Sequence, residues 1–165
     1  LIAQRAGVSE PLVFHHFGSK AGLLRALSSS PGMTPARVSE ALAEAKEQPL
    51  TTLPERLARA WEAGDPQGRM VVALAMDASR EPEVRAIVGA VAQRVQQQLE
   101  AVFEARCAAG ELRAAATPRV AAALVVSVLV GSHVLATIDH GHASLEEQLR
   151  VVVASLASTP RRRTH

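Results

Sequence analysis

From Val120 to Ile138 the chain runs nineteen residues without a charged side chain. As a helix such a segment is long enough to cross a bilayer, which takes about 20 apolar residues. It can equally be a helix that is apolar all round because protein covers it on two sides. The second solution fits better, because the segment is rich in Ala, carries no aromatic belt and has no companion elsewhere in the chain. Ser127 and Gly131, four residues apart, share one face and are small enough to let another helix approach closely. Downstream, Leu145, Leu149, Val152 and Leu156 form an amphipathic stripe that can share the seam. A lone soluble subunit of this size can hardly cover the segment on every side. A homodimer is therefore expected, with no membrane partner. Helices 118–138 and 145–158 of two copies would form a four-helix interface built from Ser127, Gly131, Leu145, Leu149, Val152 and Leu156.

Local signals make the rest helical too. Pro stands at the first helical position behind a capping side chain in Thr34-Pro35, Asp65-Pro66 and Thr117-Pro118. Thr52 with Glu55 and Ser144 with Glu147 have the spacing of a capping box. Glycines 18, 64, 110 and 141 mark other ends, and no stretch alternates polar with apolar residues. Aromatics are only 2% of the chain. That argues against a β-sandwich and against an aromatic platform for single-stranded nucleic acid. The fold class is all-α, with helices expected near residues 1–6, 9–17, 19–28, 35–47, 53–63, 66–79, 82–109, 118–138 and 145–158. Within 82–109, Val84, Val88, Val91, Val95 and Val102 form a stripe for packing against a neighbouring helix.

Charge and cysteine content narrow the function classes. The formal net charge is +2, but Arg161, Arg162 and Arg163 lie together at the C-terminal end, and without them the balance becomes −1. A case for nucleic acid must therefore be local. One cysteine, Cys107, rules out an intrachain disulfide framework and a multi-cysteine zinc site, and it reads as a small buried hydrophobe in a cytoplasmic protein.

The local case lies at the N-terminal end. Residues 1–27 read as a short helix, a tight Ala6-Gly7-Val8 turn, a second helix capped by Ser9, then Gly18-Ser19 and a third helix, the plan of a helix-turn-helix. Val13 and Phe17 point together toward a small core with Ile2, Ala6, Leu23 and Leu24. Pro11, Leu12 and His15 then face away, flanked by Phe14 and His16. The segment Ser28-Ser29-Ser30-Pro31-Gly32 is the expected linker, dividing a unit at 1–30 from a larger one at 31–165.

Three runs carry a resemblance: Ile2-Ala3-Gln4-Arg5-Ala6-Gly7-Val8-Ser9, then Phe14-His15-His16-Phe17, then Ser19-Lys20 with Leu23-Leu24. They closely resemble the DNA-binding domain of the TetR/AcrR family of transcriptional regulators, whose signature runs I-A-x-x-A-G-V-S, Y-x-H-F and S-K-x-x-L-L. The family's first helix and the start of its second have no counterpart after Leu1, so upstream residues are expected. The resemblance implies that Glu10, Pro11, Leu12, Phe14 and His15 lie in or beside the major groove of operator DNA, and that Ser9, His16 and Lys20 touch phosphates. Phe14 replaces the family's usual Tyr and loses a hydroxyl donor. Glu10 can accept from cytosine N4 but repels phosphate. The resemblance also implies a dimeric, ligand-binding C-terminal domain, and with it a repressor released by a small apolar effector.

Trp61, Met70, Phe103 and His133, with Met76, are candidate walls of that effector pocket. The helix at 35–47 and the linker before it are the expected transmitters. Asp139, His140 and His142 read as a polar loop and not as a metal site. No nucleophile elbow, phosphate-binding glycine loop, paired carboxylates or metal motif is present, so neither an enzyme nor a cofactor is expected. The alternative is a dimeric ligand-sensing module without DNA binding.

Overall fold

A computed structural model of the chain describes residues 2–28, 34–62, 81–113, 115–138 and 143–158. The helices are α1 (Ile2–Ala6), α2 (Glu10–Phe17), α3 (Lys20–Ser28), α4 (Thr34–Ala45), α5 (Leu53–Glu62), α6 (Pro82–Ala108), α7 (Pro118–Ile138) and α8 (Leu145–Leu156). Among the described residues there is no strand, and one isolated antiparallel bridge joins Leu112 to Ala157. The protein is all-α. The helix expected at 66–79, most of the linker and the 139–142 loop lie outside the described residues.

Capping chemistry explains several boundaries. Ser144 starts α8 with a complete capping box: its Oγ accepts from Glu147 N at 3.2 Å, and Glu147 Oε2 accepts from Ser144 N at 2.9 Å. The hydrogen bonds from Ser144, with help from Arg150, hold the Glu147 carboxyl below the usual glutamate range. Thr117 caps α7 more weakly, its Oγ1 accepting from Val120 N at 3.4 Å. Thr52 and Glu55 do not form the expected box. Leu50–Thr52 is a 3-10 turn in which the Thr52 hydroxyl donates to Pro49 O, and Glu55 accepts from Arg59 one turn on. Those competing partners take up both halves of the cap.

The apolar residues divide into two clusters. The larger takes Val38 and Leu42 from α4, Leu53 and Leu57 from α5, Leu99, Val102 and Phe103 from α6, Val125 and Leu129 from α7, and Leu149 and Val153 from α8. The smaller joins Leu24 of α3 to Val84 of α6, with Ile87 and Val88 against them. Helix α6 thus belongs to both, which is what its valine stripe accomplishes.

At the other end of α6, Arg106 fastens the α4–α5 connection. It donates to the carbonyls of Lys46 and Gln48 and to Glu111, whose second oxygen accepts from Leu50 N at 2.9 Å. Its neighbour Cys107 is exposed, not buried. The α6 helix ends one residue later, and position 107 lies off the buried Leu99–Phe103 face.

Helix α7 is two-sided. Ala121, Ala122, Val125, Leu129, Ser132 and His133 are buried against the chain, while Val120, Leu124, Val130 and Leu135 are exposed. By length and composition Pro118–Ala136 could cross a membrane, yet a third of it is already buried within the subunit.

Candidate nucleic-acid interface

The N-terminal unit is built around two left-handed glycines. Gly7, at φ 67°, lets the chain reverse after α1, and Gly18, at φ 72°, ends α2 with its N–H on Phe14 O at 2.8 Å. A side chain at either position would strain the backbone. Between them Ser9 is extended at φ −76° and ψ 148°, its Oγ accepting from Leu12 N at 3.4 Å, and Pro11 occupies the first turn. Ser19 repeats the device at α3, accepting from Gly22 N at 3.0 Å.

Helix α2 shows an asymmetric surface. Val13 and Phe17 are half-buried, while Ser9, Glu10, Pro11, Leu12, Phe14, His15 and His16 are all exposed. Leu12 is 51% and Phe14 54% exposed, unusual for large apolar side chains with a core nearby. His16 meets the edge of Phe17 with ring centroids 5.2 Å apart. Lys20 is the first residue of α3, the helix that follows. Leu24 is buried and Leu23 half-buried as expected, but Ala6 is exposed. Ala6 is the last residue of α1, directly before the Gly7 turn.

Comparison with known proteins bears directly on this unit. Residues 1–27 match the profile of the bacterial regulatory proteins of the TetR family. The chain carries a TetR-family N-terminal unit. Its overall fold is similar to the crystal structure of a protein assigned to the TetR-family transcriptional regulators from Rhodococcus sp., with a TM-score of 0.72 and 16% identity over 95% of this chain and 85% of that one. At that identity the likeness speaks for the fold. No curated protein matches the sequence. The exposed face of α2 lies within the segment that matches this family of regulators.

The other expected site residues separate into groups. Ser127 is exposed, its Oγ donating to Ala123 O at 2.9 Å, and a Cβ at Gly131 would meet nothing within 4 Å. Both lie along the outward stripe of α7. Leu145, Leu149 and Leu156 require correction, because they are buried in the chain's own core and Val152 is half-buried. The apolar stripe of α8 faces α5 and α7, and what it offers outward is Val151, 71% exposed, which the sequence reading missed.

Among the pocket candidates, Trp61 and His133 meet edge to face at 6.1 Å, His133 is buried and Phe103 is fully buried. Met70 and Met76 lie outside the described residues. Two surface clefts, of about 510 and 620 Å³, are lined by charged residues of α4, α5 and α8, including Arg37, Glu44, Glu55 and Arg59. Neither is lined by Trp61, Phe103 or His133. Among the described residues no group of His, Cys, Asp and Glu could hold a metal ion.

Proposed function

We propose that the protein is a cytoplasmic, ligand-responsive transcriptional repressor that binds a pseudo-palindromic operator as a homodimer. Residues 1–30 would read DNA, and 31–165 would dimerise and hold a small apolar effector. The observation that carries the reading is an α2 whose outward face is wholly exposed, within a segment that matches the TetR profile over residues 1–27. The base-facing set is Glu10, Pro11, Leu12, Phe14 and His15, and the phosphate set is Ser9, His16 and Lys20. The α7 stripe of Val120, Leu124 and Val130 supports the dimer, as uncovered apolar surface of this kind marks a partner site.

Selection from random duplex DNA with the intact protein tests the reading. A paired half-site repeated about 34 to 36 Å apart is the expected product. Lys20→Ala should then weaken binding to every duplex alike and reduce the salt slope by about one per half-site, the signature of one lost phosphate contact. Unchanged affinity and salt slope would remove Lys20 from the phosphate set. Recovery of no preferred duplex would leave a sensing module without DNA binding.

The effector arm has its own measurement. Apolar compounds are screened for raising the melting temperature, and operator is titrated with and without each binder. A coupling of about 1 to 3 kcal/mol would lower operator affinity roughly 5- to 150-fold. Binders that all leave operator affinity unchanged would remove the sensor role and leave DNA binding standing. Trp61, Phe103 and His133 are the side chains proposed to meet the compound. The contact of α3 with α6 supports α6 as a transmitter alongside α4 and the linker.

A further inference from the structure

Resting on the DNA-binding reading, we infer that α2 selects its half-site chiefly through apolar contact of Leu12, Pro11 and Phe14 with thymine 5-methyl groups. Guanine is read in the major groove by Arg or Lys and adenine by Asn or Gln, each through paired hydrogen bonds. From Ser9 to Phe17 there is no Arg, Lys, Asn or Gln. Glu10 can accept from cytosine N4, and His15 and His16 bring ring nitrogens, but none offers the two-pronged geometry that separates purines strongly.

What the helix does present is apolar. At 100° per residue Phe14, Pro11, His15 and Leu12 follow one another across roughly 160° of its circumference, opposite Val13 and Phe17. Three of these four are apolar, and the two large ones, Leu12 and Phe14, are the most exposed large hydrophobic residues among the described residues of the N-terminal unit. The described residues leave about half of each uncovered.

The only apolar feature on a base edge in the major groove is the thymine methyl. Leu or Phe set against that methyl removes water from two apolar groups and strands no polar atom. Set against a G·C pair, the same side chain would cover guanine N7 and O6 or the cytosine amine without supplying a partner, which is costly. The face therefore favours thymine by attraction and disfavours G·C pairs by the hydrogen bonds it cannot make. Leu12 and Phe14 are specificity-determining contacts, and Glu10 adds a cytosine at the edge of the same half-site.

The test uses the duplex selected by the intact protein, in which each thymidine is replaced singly by deoxyuridine. That change deletes the methyl and leaves every hydrogen-bonding group in place. Affinity is expected to fall about fourfold at one or more positions in each half-site, the equivalent of about 0.8 kcal/mol for one buried methyl-sized group. Leu12→Ala and Phe14→Ala, both at exposed positions, should keep the helical content and melting temperature of the parent. Each should bind the thymidine duplex more weakly and lose the thymidine-over-deoxyuridine preference at its own position. The inference is overturned if the selected half-site lacks thymine under α2, if every deoxyuridine duplex binds as well as its parent, or if the preference survives undiminished in both variants. If no duplex is selected at all, the DNA-binding reading fails and takes the inference with it, a result distinct from selection followed by indifference to the methyl.

Discussion

Gly131→Arg is expected to sediment as a monomer at concentrations where the parent is a dimer, with helical content retained. The expectation rests on two features of α7. Within the subunit nothing lies within 4 Å of where a Cβ at Gly131 would stand, so the new side chain has room in the isolated fold. On the same helix Val120, Leu124, Val130 and Leu135 are exposed, with Ser127 between them, so the stripe that Gly131 joins is the one proposed to meet its copy. A two-fold interface places the substitution twice against itself. A stranded buried charge costs about 3 to 5 kcal/mol, so the dimer Kd should rise by roughly 150- to 5,000-fold for one such charge, and further because the interface holds two. Sedimentation across a concentration series reads this directly. An unchanged dimer would move the interface away from α7, and extraction of the parent only by detergent would return the segment to the bilayer.

Phe103→Ala should produce the largest loss of stability of any single truncation among the described residues. The ring has no exposed surface and sits in the main cluster with Leu99 and Val102. Removing it forfeits its transfer free energy and leaves a cavity, together about 3 to 5 kcal/mol. That is a large share of the 5 to 15 kcal/mol typical of a domain. For a chain of this length the melting temperature should fall by roughly 6 to 20 °C. Denaturant unfolding should show a lower midpoint with an unchanged slope. A loss below about 1 kcal/mol would mean that the ring borders space and not packed side chains.

What could be read in advance followed from how local the determining interactions are. The Ser144–Glu147 box was legible because both partners and both donors lie within one turn. Thr52 and Glu55 have the same spacing and failed, since Pro49 O and Arg59 compete for them and the 3-10 turn changes where the helix begins. The N-terminal unit was legible because turn, cap and the second helix follow at fixed spacing. The length of α7 could be read to the residue, but not its inward face, because a segment without charges gives periodicity no contrast. The same applies to Val151, Val152 and Val153, of which only Val153 is buried. Cys107 and Ala6 were misjudged from residue type, whereas their exposure depends on which neighbours reach them.

Helix α6 has the length and the anchoring at both ends that a lever arm needs. From Val84, packed under α3, to Phe103, in the main cluster, it rises roughly 28 Å as one unbroken helix. If its Phe103 end is the pivot, a tilt of about 7° carries the Val84 end about 3.4 Å, the rise of one nucleotide along a DNA strand. Under the proposed effector response, such a tilt would pass through Val84 and Leu24 to α3 and displace it on the scale at which the proposed reading helix would gain or lose its register on the groove.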